Sequence, residues 1–98
     1  MNIQKTLSGA ALTVALEGRL DTTTAPKLEE ELRGSVGGIT RLVFDVEKLE
    51  YISSPGLRVL LAMQKHMNQQ GKMVLQNVNE AVMEVFEVTG FSDILSIE

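Results

Sequence analysis

The chain has 98 residues, 44% hydrophobic and 22% charged, with 13 acidic against 9 basic side chains for a formal net charge of −4. Single cores stop growing only beyond roughly 250 residues, so this length holds one domain, spanning 1–98, and leaves no room for a second. The acidic balance lacks the cationic face that phosphate neutralisation requires, and the absence of cysteine removes disulfides, thiolate metal sites and cysteine nucleophiles, so nucleic acid is not an expected partner.

Along the chain, Ile3 to Leu7 reads as a weak first strand. Ala11 to Leu16 then sets Leu12, Val14 and Leu16 on one face, the period of a half-buried strand. Ser8-Gly9-Ala10 between them predicts a hairpin turn. From Thr24 the period lengthens: Ala25, Leu28, Leu32 and Val36 form the apolar stripe of a helix, with Glu29, Glu30, Glu31 and Arg33 outside. The threonines at 22–24 and Pro26 mark its start, and Gly34, Gly37 and Gly38 its end.

Arg41 to Val46 is apolar at nearly every position before Asp45, the composition of a central strand covered on both faces, and it breaks at Glu47-Lys48. After Ser53-Ser54-Pro55-Gly56 a second helix carries Leu57, Leu60, Leu61 and Met67 inward, with Gly71 as its stop. Lys72 to Gln76 predicts another strand. Asn79 caps a third helix with Val82, Val85 and Phe86 inside and Gly90 at its end, Phe91 packing back, and Ile94 to Ile97 adds a short closing strand. The order β-β-α-β-α-β-α(-β) makes this an α/β fold, a mixed sheet packed with α-helices.

Signals for catalysis are weak. His66 lies alone in mid-helix without the clustered partners that general-base or zinc chemistry needs, and it reads as a solvated side chain. Gly34-Ser35-Val36-Gly37-Gly38 follows a helix instead of opening one, so it stops a helix and cradles no phosphate. Glu29, Glu30 and Glu31 point about 100° apart on a helix and cannot converge on one atom. No enzyme, metal or cofactor is expected. No apolar run approaches the roughly 18 residues that span a bilayer and the start lacks a secretory signal, so a cytoplasmic location without membrane insertion is expected.

The segment from Leu49 to Leu61 differs in kind. Ser54 falls at or beside the N-cap of the second helix, with Pro55 at its first position. Two uses of that hydroxyl follow from the geometry. It can cap the helix, a contribution of about 1 kcal/mol. It can equally accept a phosphate, which free amides and the helix dipole favour and which adds close to two negative charges.

Three segments in order, Glu17 to Asp21 followed by Thr24-Ala25, then Leu42 to Leu49, then Tyr51 to Leu57, resemble the STAS domain. The likeness is to the small bacterial anti-sigma factor antagonists in particular. Gly71 to Leu75 and Val85 to Phe91 continue it, so it covers essentially the whole chain. The resemblance implies a partner-switching protein: it binds a serine-kinase anti-sigma factor of the histidine-kinase ATPase fold, frees the sigma factor, and is inactivated when the kinase phosphorylates a serine. A PP2C-type phosphatase reverses the modification. The matching acceptor is Ser54, with Gly56 and Leu57 in register; Ser53 and Pro55 depart from the family's usual aspartate and second hydroxyl residue. The expected docking surface joins Asp21, Thr22 and Thr23, the turn of Ser53, Ser54, Pro55 and Gly56, and the outer side of the second helix through Arg58, Ala62 and Lys65. Two other readings are a STAS subunit of a membrane-associated transport or signalling complex that docks without phosphorylation, and a small-molecule or nucleotide sensor.

Overall fold

The computed structural model describes all 98 residues. Strand β1 (Asn2–Ser8) folds back on β2 (Ala11–Leu20) through a tight turn at Gly9 and Ala10, in which Gly9 takes φ +61°, a conformation that an L side chain resists. There follow α1 (Ala25–Arg33), β3 (Arg41–Ile52), α2 (Ser54–Asn68), β4 (Lys72–Gln76) and α3 (Glu80–Thr89). The sheet order is β1-β2-β3-β4, antiparallel in the hairpin and parallel across β2/β3 and β3/β4. Right-handed crossovers between neighbours taken in sequence order carry α1 and α2 onto the same face.

One cluster of 23 buried residues joins that face to the helices. Leu12, Val14, Leu16, Leu42, Phe44, Val46, Met73 and Leu75 come from the sheet, Leu28, Leu32, Leu57, Leu60, Met67, Val82 and Phe86 from the helices. Val59 is buried too, although the stripe read from the sequence omits it, and Leu61 is only half-buried. Val43 and Val74 are buried yet stand outside the cluster, on the sheet's opposite face. The expectation that β3 is covered on both faces by packed layers is corrected: the helices cover one.

β2 and β3 both run further than their alternation predicts. β3 does not break at Glu47-Lys48; it continues to Ile52 because its pairing with β2 absorbs register shifts between Ala15 and Glu17 and between Gly18 and Arg19. At such bulges the inward side chains lose their two-residue period. In β3 the buried positions go from Leu42, Phe44 and Val46 to Leu49 and Ile52, leaving Glu47, Lys48, Glu50 and Tyr51 exposed. A run that reads as a charged loop is therefore strand.

Asn79 caps α3 as expected, its Oδ1 accepting from the Val82 N–H at 2.9 Å, and Gly90 closes the helix at φ +81°. Gly71 does not act as a left-handed stop for α2. It is glycine because Thr40 crosses there: a Cβ would lie 1.9 Å from the Thr40 carbonyl oxygen. The expected closing strand at Ile94 to Ile97 is replaced by a 3₁₀ turn (Phe91–Asp93) and a single parallel bridge between Leu75 and Ile97. The five-residue β4 offers the tail little edge, and the bridge closes it through Leu75 N–H to Ser96 O at 2.8 Å and Glu98 N–H to Leu75 O at 2.9 Å.

Candidate functional site

Parallel pairing brings the carboxyl ends of β2 and β3 side by side, the end of an open α/β sheet where ligands and partners are usually met. Leu20 is the register partner of Ile52, and the Ser53 N–H donates to the Leu20 carbonyl at 2.9 Å. Asp21 and Ser53, the residues that follow, thus leave the sheet at adjacent points. The structure unites two loops whose first residues stand thirty-two positions apart in the sequence.

In the first loop Asp21 organises the chain. Its Oδ1 accepts from the Thr23 N–H at 3.0 Å, the Thr24 N–H at 3.2 Å and the Thr23 hydroxyl at 2.8 Å. The Thr24 hydroxyl donates to the Arg19 carbonyl at 2.8 Å and accepts from the Asp21 N–H at 2.8 Å. The orphan amides before α1 are therefore met by a carboxylate, not by the threonine hydroxyls expected to cap them. Thr22 is exposed, and no bond holds its side chain. The Thr23 hydroxyl above all, and then the Thr24 and Thr23 amides, stabilise the ionised carboxyl and hold Asp21 below the usual aspartate range. A depressed folded value means that the bonds stabilise the native state above the ordinary pKa of about 3.9 and are lost as pH falls through the lower folded value. Asp21→Asn is expected to flatten the acid side of a melting-temperature profile below about pH 4 while leaving its slope near pH 7 unchanged. An unaltered acid limb would refute this role.

In the second loop Ser53 occupies the N-cap position in extended backbone, φ −100° and ψ 175°, so Ser54 is the first helical residue and Pro55 the second. The helix begins one residue earlier than expected, at Ser54 instead of Pro55. Neither hydroxyl caps α2: the Ser53 side chain makes no capping bond, its Oγ is buried without a partner, and Ser54 is exposed. The capping use of Ser54 is thereby removed, and its hydroxyl stands free at the surface. Gly56 is required by close approach, since a Cβ would come within 2.7 Å of Leu20 Cγ and 2.9 Å of Ile52 Cγ1. The first turn of α2 is seated directly on the two strand ends.

Arg58, Ala62 and Lys65 are all exposed and follow at steps of four and three, one stripe down α2. No acidic residue occurs in α2, whereas α1 carries Glu29, Glu30 and Glu31. A groove of about 190 Å³, lined by Ala25, Pro26, Glu29, Pro55, Arg58 and Val59, runs between the first turns of the two helices. It is below the roughly 300 Å³ of an ordinary small-molecule pocket, and its form suits contact with a surface. His66 is exposed on the same helix.

Two residues not selected from the sequence belong to the site. Arg19 and Tyr51 are register partners on β2 and β3; the Arg19 guanidinium lies 4.3 Å from the Tyr51 ring centroid, and its Nε is 3.8 Å from Asp21 Oδ2. Tyr51 remains 41% exposed, a large aromatic offered beside the serine turn. Only the strand register reveals this pair, because thirty-two positions separate them in the chain.

The sequence profile of the STAS domain matches residues 2–98. Among curated relatives, BtrV of Bordetella bronchiseptica is 42% identical over 88 residues, 88% of this chain and 76% of that one. The anti-sigma-B factor antagonist of Staphylococcus aureus is 30% identical over 99 residues, 99% of this chain and 92% of that one. Among solved structures, the anti-sigma factor antagonist SpoIIAA in its unphosphorylated form superposes with a TM-score of 0.85 at 18% identity, covering 99% of this chain and 88% of that one. The phosphorylated form of the Bacillus SpoIIAA superposes at 0.77 with 18% identity, covering 99% and 91%. The profile spans the chain from end to end and the relatives match it over most of their own length: this protein belongs to the STAS domain family, together with the anti-sigma factor antagonists.

Proposed function

We propose that this protein binds a serine-kinase anti-sigma factor through the surface formed by the Asp21 loop, the Ser53 to Gly56 turn and the outer side of α2, and so releases a sigma factor. Phosphorylation of Ser54 switches the binding off, and a PP2C-type phosphatase restores it. The observation that carries the reading is the free Ser54 hydroxyl, exposed at the first residue of α2 between the Asp21 loop and the basic stripe of Arg58 and Lys65. The names of the relatives support the general role. No helix is long and apolar enough to cross a membrane, and the reading needs none.

In the modification, Ser54 Oγ attacks the γ-phosphorus of ATP, the bond from that phosphorus to the β–γ bridging oxygen breaks, and ADP leaves. The hydroxyl proton passes to a base that the kinase supplies, because no side chain here accepts from Ser54 and the nearest carboxylate loop, that of Asp21, is already bonded to its own threonines. This makes the substitution of Ser53 for the family's aspartate tolerable: the acceptor side contributes position, and the enzyme contributes the base.

The test is intact-mass spectrometry after incubation with ATP and the anti-sigma serine kinase encoded nearest to this chain in its genome, with fragmentation to locate the phosphate. One phosphate on Ser54 is expected, and none on Ser54→Ala. A stable complex with the kinase and no phosphate on Ser54 would refute the switch while leaving the docking surface intact.

A further inference from the structure

We propose that Arg58 is the resident counter-ion of a phosphate on Ser54, so that phosphorylation withdraws the first cation of the α2 docking stripe instead of adding a bare negative charge beside it. The inference rests on Ser54 as the modified residue and goes further by naming what the phosphate binds.

Ser54 and Arg58 stand four residues apart on α2, and residues so spaced are neighbours on a helix. Long side chains on a helix lean toward its N-terminus, which puts the turn that carries Ser54 Oγ within reach of the Arg58 guanidinium. An acidic group followed by a base at this spacing is also the favourable orientation with respect to the helix dipole. Arg58 is exposed and joins none of the molecule's ion pairs. Glu29 of α1, the carboxylate that shares its groove, is already held by Arg33 at 2.8 Å. The other nearby cation, Arg19, is committed to the Tyr51 ring and to Asp21.

Two further features direct the phosphate to this arginine. Pro55 has no N–H, so the first turn of α2 is short of the amides that would otherwise bind phosphate oxygens. Asp21, held ionised by its own threonines, repels the phosphate away from the β2 loop and toward α2. The groups around the phosphate are thus Arg58 as its partner, with Asp21 and Glu29 as acids and Arg19 already engaged.

The test needs no kinase. The full chain is made with phosphoserine installed at position 54 during translation, and its phosphorus resonance is titrated by NMR at low salt. Beside Arg58 the phosphate is expected to titrate about 0.5 pH below its ordinary midpoint near 6, because the cation favours the dianion. Arg58→Gln is expected to return the midpoint to the ordinary value, and Lys65→Gln, two turns further along, to leave the lowered one in place. The same midpoint with and without Arg58 would overturn the proposal. Because the phosphate is installed and not transferred, this result is independent of whether a kinase modifies Ser54, and the two ideas can fail separately.

Discussion

Ser54→Asp is expected to lower affinity for the serine-kinase anti-sigma factor at least about 100-fold, which corresponds to about 2.7 kcal/mol, while Ser54→Ala stays within about threefold of the native protein. The asymmetry follows from position. Ser54 makes no bond within the chain, so removing its hydroxyl leaves no unsatisfied partner and alanine is well tolerated in a helix. A carboxylate there must be desolvated when the partner closes over the turn, and by engaging Arg58 it withdraws the first cation of the docking stripe. The loss cannot come from unfolding: an acid in the first turn of a helix, four residues before an arginine, is stabilising, so the melting temperature of Ser54→Asp should equal or exceed the native value. Titration calorimetry with the kinase, paired with a melting curve for each variant, decides the matter. Native affinity in Ser54→Asp would sink the switch.

The largest effect on stability is expected at Gly71. An alanine Cβ there would stand 1.9 Å from the Thr40 carbonyl oxygen, 2.6 Å from its carbon and 2.8 Å from its Cα, all of them backbone. Thr40 is poorly placed to yield. Its N–H donates to the Ala10 carbonyl at 2.9 Å and its carbonyl accepts from the Lys72 N–H at 2.9 Å, the bonds that start β3 against the hairpin on one side and against β4 on the other. Gly71→Ala should therefore reduce the unfolding free energy by at least about 3 kcal/mol, with a melting temperature lower by more than about 10 °C for a domain of this size. Gly34→Ala is the matched control, since a Cβ at Gly34 meets nothing within 4 Å and the residue has an ordinary helical φ. Urea denaturation of the two variants compares them directly; a loss under about 1 kcal/mol at Gly71 would show that the Thr40 crossing can relax.

Much of the fold was legible in the chain because it rests on near neighbours. The alternation of Leu12, Val14 and Leu16, the stripe of Ala25, Leu28 and Leu32, the cap at Asn79 and the left-handed glycine at 90 each depend on a few adjacent residues, and each is found where the pattern places it. Where β3 and α2 depart from the reading, a distant segment is responsible. Glu47 and Lys48 belong to a strand because bulges against β2 rotate them outward, and Gly71 is required by Thr40, thirty-one positions earlier.

The candidate site divides in the same way. Its residue types were already legible in the chain: a serine turn opening a helix, a glycine two residues on, an aspartate among threonines and a basic, acid-free helix face are all composition and spacing. Which of those groups meet, and which are already bonded, is settled by the assembled sheet. Parallel pairing of Leu20 with Ile52 brought the aspartate loop, in which Asp21 and not a threonine hydroxyl meets the amides ahead of α1, to the serine turn, and stacked Arg19 on Tyr51. It also left the Ser53 Oγ buried without a partner and the Ser54 hydroxyl free. The physical reason is that hydrogen-bond satisfaction at strand ends is settled by whichever backbone groups the register sets opposite one another, and register is a property of the assembled sheet.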